Sequence, residues 1–385
     1  MREAALLLSP EAPYPLHGGG QLRTASIANF LSNRYDLDLI VFREPGAADP
    51  RASLPAGLLR DVLVVELPFH YKTPAARMVR NAGRLLRGAP PLLDRFSAAH
   101  ETVGRHLRGR HYEIAVIEHF WCAPYWTEIA PISGKTVLDL HNIESLLHAR
   151  CGASARSPEA FSHRLFARAY RSLEAQWLPR FHVVLTPSEE DRAIAARMAP
   201  RVIVYPNAIP EQPAPHIPRD YAIAFSGNFE YHPNRSAVAF FVREIWPALR
   251  RRHPGLEWRL IGRNAHAVAR HIDGDPQIRA TGPVESGVAE LAAVRVAVVP
   301  LLAGSGTRFK IIEAWAAATP VVSTSLGAEG LPAHLMIADT GAAFADAVSR
   351  LLTDEPWAAS LASEGRAAYE SQFTWPAAWQ TLRSL

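Results

Sequence analysis

Apolar positions along the chain fall into short runs separated by stretches with helical spacing. That alternation predicts βαβ units and mostly parallel sheets. In the first 206 residues the runs predict strands at 4–8, 37–42, 62–67, 114–118, 136–140, 183–186 and 202–205. Helical periodicity falls between them, notably at 21–32, 74–86, 158–177 and 188–198. Ser188, with Asp191 three residues later, marks a helix start of the capping-box kind.

Prolines then crowd together at Pro206, Pro210, Pro213, Pro215 and Pro218. Neither helix nor sheet tolerates that density, so a linker is expected at 207–219. Alternation resumes with strands at 221–226, 257–261, 277–281, 294–301 and 321–323, and with helices at 234–251 and 309–317. The end reads as helical over 341–352, 356–372 and 375–385. The pattern divides the chain into a first domain over 1–206, the linker, a second domain over 220–370 and a C-terminal helix over 371–385. Doubly wound sheets of this type bind ligands at the carboxyl ends of their strands, and two such domains would leave a cleft between them.

A length of 385 residues agrees with two domains, and 48% apolar with 20% charged residues describes a globular chain. No window approaches the roughly 20 apolar residues of a membrane span, and the apolar run at 4–8 is too short for a signal peptide. Cys122 and Cys151 have no metal or redox spacing, and a reducing cytoplasm is the expected location. The net charge of +4 is concentrated in the first half. Lys72, Arg77, Arg80, Arg84, Arg87, Arg95, Arg105, Arg108 and Arg110 face only Asp94 and Glu101 within 70–110. Interleaved with leucines, that cluster could meet anionic lipid at the inner face of the cytoplasmic membrane, or it is simply a solvated face. Nucleic acid is disfavoured, since few aromatics accompany the charge and no binding module is present.

The most informative stretch runs from Pro300 to Thr324. A buried strand, the glycine loop Gly304-Ser305-Gly306-Thr307, and a helix opened by Arg308 and Lys310 are arranged to hold an anion. Glu313, one turn on, suits a hydroxyl-rich group attached to that anion. Gly227-Asn228 after the strand at 221–226 offers a second strand–glycine–helix phosphate site, with Asn234 suited to capping the following helix. In the first domain, Gly18-Gly19-Gly20 with Arg23, Glu118-His119, and Asp139-Leu140-His141-Asn142 all fall at strand carboxyl ends. Histidine there can donate to a substrate oxygen or simply stabilise its loop. The glycines do not make a dinucleotide fingerprint. Asp273-Gly274-Asp275 resembles a manganese-binding Asp-x-Asp but reads as an exposed turn.

Together these blocks resemble a GT-B glycosyltransferase of retaining family 4, close to bacterial sugar transferases of polysaccharide export and biosynthesis. The residues carrying the resemblance are Gly18-Gly19 with Arg23, Asp139-Leu-His141-Asn142-Ile-Glu144, Pro206-Asn207, Ser226-Gly227-Asn228, Gly304-x-Gly306-Thr-Arg308-x-Lys310-x-x-Glu313 and Pro320-Val-Val-Ser-Thr. It implies two Rossmann-like α/β domains facing across a cleft, a nucleoside diphosphate sugar as donor, and no metal or other cofactor. His141, Arg308 and Lys310 would be catalytic; Gly227, Asn228, Ser305, Gly306, Thr307 and Glu313 would bind the donor, with Glu313 on the ribose. Gly18, Gly19, Gly20, Arg23, Glu118, His119, Asp139 and Asn142 would bind a saccharide or lipid-linked acceptor. The last helix would cross back onto the first domain. Two departures stand out: Ser305 replaces a sugar-contacting glutamate eight residues before Glu313, and Asn228 with the Asn234 region replaces an Arg and a Lys, whose phosphate role would pass to Arg308 and Lys310. The competing readings are a nucleotide-sugar 2-epimerase or hydrolase on this fold, and a non-catalytic nucleotide-sugar-binding scaffold.

Overall fold

The computed structural model describes every residue except 1, 71–72, 74–78, 82, 85–86, 154–157, 216 and 304–307, and the side chains of 158–160. Two compact units emerge. The first comprises Met1–Pro206 with Trp379–Leu385, the second Asn207–Ala378. Within the first, β1 (Ala4–Ser9), β2 (Asp36–Arg43), β3 (Asp61–Glu66), β4 (Tyr112–Glu118), β5 (Ser133–Asp139), β6 (Val183–Thr186) and β7 (Val202–Val204) form one sheet in the order β3-β2-β1-β4-β5-β6-β7. Every pairing in it is parallel. The central strands are apolar on both faces, because helices cover both faces of a parallel sheet. Leu6, Leu7, Leu8, Ile40, Val116 and Leu138 are all buried.

The second unit repeats the plan with β8 (Asp220–Ser226), β9 (Glu257–Ile261), β10 (Ile278–Gly282), β11 (Val294–Val299), β12 (Val321–Ser323) and β13 (Met336–Ile337), ordered β10-β9-β8-β11-β12-β13 and again parallel. In each sheet the strand order reverses beside its first strand, between β1 and β4 and between β8 and β11. Loops leaving those neighbours diverge to opposite faces and open a crevice at the carboxyl edge.

Several elements differ from their sequence expectation for identifiable reasons. β11 stops at Val299 because Pro300 has no N–H to continue the ladder. The helix expected over 234–251 is three segments: His232–Phe240, a π-helical turn at Phe241–Ile245, and Trp246–Arg252. Pro247 removes one N–H there, and the wider turn absorbs the missing bond. Asn234 is not a cap; Tyr231 holds that position and Asn234 lies inside the first turn. Ser188 does cap its helix, accepting from the Asp191 amide. The helix expected at 74–86 lies largely outside the described residues.

The proline-rich segment is fastened to the second unit. Tyr369 donates its hydroxyl to the Pro210 carbonyl at 2.9 Å, Arg366 reaches the Gln212 carbonyl at 2.7 Å, and Ile209 pairs with Thr374. The last residues return to the first unit, where Trp379 donates Nε1 to Ser26 Oγ at 3.0 Å beside Phe30. Of the arginines between 80 and 110, Arg84 and Arg87 pair with Asp94, Arg95 with Glu44, Arg105 with Glu101, and Arg110 with Asp38 and Asp61. Much of the positive charge expected to face outward is therefore neutralised within the unit. Among the described residues no helix is long and apolar enough to cross a membrane.

The helix Phe309–Ala316 is set in place by Trp315, which is fully buried and donates Nε1 to the His334 carbonyl at 3.2 Å. Gly365, inside the helix Glu355–Ala368, makes room for that indole: a Cβ there would stand 2.7 Å from Trp315 Nε1. Glycine-to-alanine inside a helix ordinarily gains about 1 kcal/mol. Here the buried ring cannot swing away, so Gly365→Ala should instead lose about 1–3 kcal/mol in urea unfolding. A gain would show that the indole is not wedged against this position.

Candidate functional site

In the first unit, β4 and β5 end in register, with Glu118 opposite Asp139. The helix after β1 begins at Gly19, capped by Gly18, and carries Arg23 inward. Arg23 forks onto Asp139, Nε to Oδ2 at 2.7 Å and Nη2 to Oδ1 at 2.6 Å, and donates Nη1 to the Tyr205 carbonyl at 2.8 Å. Both partners are buried, at 1% and 0% exposure. A guanidinium does not deprotonate in a protein, so Asp139 stays ionised beside it even though burial pushes the carboxyl upward. Its role is thus internal: Arg23 ties the first helix to β5 and to the end of β7.

Glu118 completes the edge. Its Oε2 lies 2.6 Å from His141 Nε2, and that nitrogen is 3.5 Å from Asp139 Oδ2. Burial raises Glu118 to about 7, with the Arg23 charge opposing, while burial lowers His141 to about 3. Near neutral pH the imidazole is therefore uncharged, and the carboxyl exchanges its proton in the working range. His119 stacks on His141 at 3.5 Å and on Trp121 at 4.3 Å. Its φ of 61° is unusual for a non-glycine residue, and burial holds it neutral. Neither of its ring nitrogens finds a hydrogen-bond partner among the described residues. Gly20 brings the helix start close: a Cβ there would overlap Glu11 Oε1 and lie 3.8 Å from His119 Nε2. Asn142 follows in the loop entering the helix Glu144–Ala153.

Glu118, Asp139 and His141 each offer an atom within 4.8 Å of the others, a spacing that could hold a metal ion. Arg23 already occupies both oxygens of Asp139 with a fixed positive charge, so the donor set fits a hydrogen-bonded relay better than a cation site.

In the second unit, the turn after β8 lies beside the start of the helix that follows β11. Gly227 has φ 154° and Gly262, just past β9, has φ 130°. A Cβ on Gly262 would overlap the Gly227 carbonyl, so two backbones cross at contact distance, which only glycine permits. Asn228 Oδ1 accepts from the Glu230 amide at 3.1 Å and from Asn264 Nδ2 at 3.0 Å, closing the turn. Arg308 takes the cap position of the helix Phe309–Ala316, and Lys310 lies in its first turn. The Lys310 ammonium is 4.8 Å from the centroid of Phe225 and donates to Asn234 Oδ1 at 2.8 Å. Burial, and then the Arg308 charge, lower it to about 7, while burial raises Glu313 to about 7 against the pull of Lys310. Gly287 faces Glu313, with an added Cβ 3.7 Å from its carboxylate. Ser305, Gly306 and Thr307 lie outside the described residues.

The structure therefore gathers Arg23, Glu118, His119, Asp139 and His141 at one edge, and Gly227, Lys310 and Glu313 at another. Sequence reading missed Gly262 and the tie from Asn234 to Lys310. Gly262 was legible as a second glycine directly after a strand; the tie was not, since it joins positions 76 residues apart. Asp275 serves the turn, accepting from Trp246 Nε1 at 2.9 Å and from the Gln277 amide at 3.0 Å.

Residues 220–354 match the family model described as glycosyl transferases group 1. No curated protein matches the sequence significantly. Among solved structures, sucrose-phosphate synthase from Thermosynechococcus elongatus is similar over 100% of this chain and 98% of its own, at 17% identity and a TM-score of 0.75. HepE from Anabaena, in complex with UDP and glucose, is similar over 100% of both chains at 15% identity and TM-score 0.64. A variant of TarM from S. aureus, in complex with fondaparinux, alpha-GlcNAc-glycerol and UDP, aligns over 99% of both chains at 10% identity and TM-score 0.68. At these identities the likeness is one of fold, and that fold is the GT-B glycosyltransferase fold. With the family match over the second unit, the chain is a glycosyltransferase.

Removing one partner of the buried pair strands the other charge. Arg23→Met should cost about 3–5 kcal/mol in urea unfolding, and the double variant Arg23→Met/Asp139→Leu less than the sum of the singles. A single-variant loss under about 1 kcal/mol would contradict the burial argument. For Glu118, the unfolded carboxyl sheds its proton near 4.5 and the folded one near 7. Stability should therefore fall as pH rises through that window, by up to about 1.4 kcal/mol per pH unit. Glu118→Gln should make this fall shallower by Glu118's own share, leaving the part owed to Glu313 and Glu144, which burial also raises, to about 7 and about 8; a profile parallel to the wild type would sink the assignment.

Proposed function

We propose that the protein is a retaining, metal-independent glycosyltransferase of the family 4 type. It moves a sugar from a nucleoside diphosphate sugar to the hydroxyl of a saccharide or lipid-linked saccharide, in cell-surface polysaccharide synthesis. One observation carries this reading: a half-buried lysine and a half-buried carboxylate, Lys310 and Glu313, lie one turn apart on a helix that starts at the carboxyl edge of the sheet, within the stretch matching the group 1 model.

In this reading the diphosphate lies against the N-terminus of the helix Phe309–Ala316, with Arg308 and Lys310 as its cations and Gly227 allowing close backbone approach. Glu313 accepts from the ribose hydroxyls. Ser305, Gly306 and Thr307 are assigned to the donor sugar and phosphates by the resemblance alone. As the bond from the anomeric carbon to the phosphate oxygen breaks, charge develops on the diphosphate. Pre-aimed cations and amides stabilise it by about 3 kcal/mol per donor. The acceptor oxygen bonds to the anomeric carbon on the same face, and its proton passes to the departing phosphate oxygen. His141, held neutral and oriented by Glu118, hydrogen-bonds the transferred sugar. His119, buried and with neither ring nitrogen hydrogen-bonded among the described residues, contacts the acceptor in this reading. HepE in complex with UDP-glucose supports a nucleotide-sugar donor, and the saccharide in the TarM complex supports a sugar acceptor.

Calorimetry with UDP, GDP and ADP and their glucose conjugates tests the assignment. At least one nucleotide should bind, and Glu313→Ala should weaken it about tenfold or more, as loss of charged hydrogen bonds does. His141→Ala should lower turnover about a hundredfold with little change in donor affinity. Undiminished binding in Glu313→Ala would discard the donor site. Binding without turnover across a broad acceptor panel would favour a scaffold.

A further inference from the structure

Asn234 is 4% exposed and makes two bonds of opposite sense. Its Nδ2 donates to the Asn228 carbonyl at 2.8 Å, and its Oδ1 accepts from the Lys310 ammonium at 2.8 Å. A carbonyl can only accept and an ammonium only donate, so the carboxamide has one satisfactory orientation. The glycine turn lies directly alongside: a Cβ on Gly227 would fall 2.7 Å from Asn234 Nδ2 and 3.5 Å from Lys310 Nζ. No side chain therefore intervenes between the turn and the ammonium.

The chemistry of this anchor is unusual. Ammonium groups drawn partly out of water are ordinarily matched with a carboxylate, since a charge out of water is costly without its opposite. Here the groups meeting Lys310 from the neighbouring strand and helix, Phe225 and Asn234, are neutral. At the cap of its own helix Arg308 adds positive charge, and among the described residues Glu313 opposes it. Folding has thus placed an ammonium group at a sheet edge and held it with a group that brings no opposing charge.

We propose that Asn234 is a positioning residue for the diphosphate: its neutral carboxamide aims the Lys310 ammonium at the carboxyl edge without cancelling the charge that the anion is to meet. This rests on the reading of the second unit as a nucleoside-diphosphate site and gives a role to Asn234, which the resemblance marks only as a departure. It also accounts for an amide at 234, because an aspartate of the same shape would form an internal ion pair and compete with the ligand.

The test is calorimetry of the full chain with inorganic pyrophosphate, from pH 6 to 8.5, on the wild type, Asn234→Asp and Asn234→Ala. Variants are compared at each pH so that ionisation of the probe cancels. Wild-type affinity should be highest below about 7 and fall as Lys310 loses its proton. Asn234→Asp should bind about tenfold more weakly at pH 7, with the fall displaced upward by a unit or more, because the new carboxylate holds the proton on Lys310. Asn234→Ala should lose about threefold with the fall unmoved, since the charge stays and only its aim is lost. Thermal unfolding reports whether each variant folds; should aspartate disturb the fold, the alanine variant and its pH profile carry the test. Both variants within twofold of wild type would overturn the proposal. No binding of pyrophosphate or any nucleoside diphosphate by the wild type would overturn the diphosphate reading and this proposal with it.

Discussion

Charge buried at the carboxyl edge of a parallel sheet must be matched or displaced in pKa, and this constraint organises both units. Loops leave a doubly wound sheet at that edge, and helices begin there, so polar groups collect beside an apolar interior. In the first unit the match is internal. Arg23 and Asp139 form a buried fork, and with its charge committed, Glu118 and His141 share a short contact between groups that burial holds near neutrality. The outcome is an edge closed by internal pairing and carrying two neutral imidazole rings.

The second unit meets the same constraint differently. Lys310 and Glu313 are both pushed toward neutrality by burial, and the ammonium is tied to an amide. Such an arrangement is poor for stability and good for binding an anion, since the ligand supplies the missing counter-charge. Neighbouring structure preserves it: Trp315 seats the helix against Gly365, and the Gly227–Gly262 crossing brings the turn alongside. One edge is thus closed by internal pairing, and the other keeps a cation matched only by neutral groups and a distant carboxylate.

Much of this was legible before folding was considered. Runs such as Leu6-Leu7-Leu8 and Val296-Ala297-Val298-Val299 are too apolar for a half-exposed strand and fall at the spacing of βαβ units. The glycine-then-cation order around Arg308 reads as an anion site because few other functions need it. Other features were hidden. A two-residue strand such as Met336–Ile337 has no periodicity to detect. The π-helical turn before Trp246 depends on how a proline is accommodated in a packed helix. Asn234 read as a cap because its composition fits one, yet the chain enters the helix two residues earlier.

By itself the sequence determined the class of fold, the division into two sheets and the residue types available at each carboxyl edge, because these follow from local periodicity and from groups whose chemistry does not depend on neighbours. Only the tertiary structure decided which groups share a partner. Arg23 was legible as a cation beside a glycine turn, but the fold buries it against Asp139, 116 residues away. Lys310 was legible as a cation at a helix start, but its amide anchor comes from a different helix, 76 residues earlier. Burial and long-range pairing set the charge state of a group, and neither is written in its local sequence.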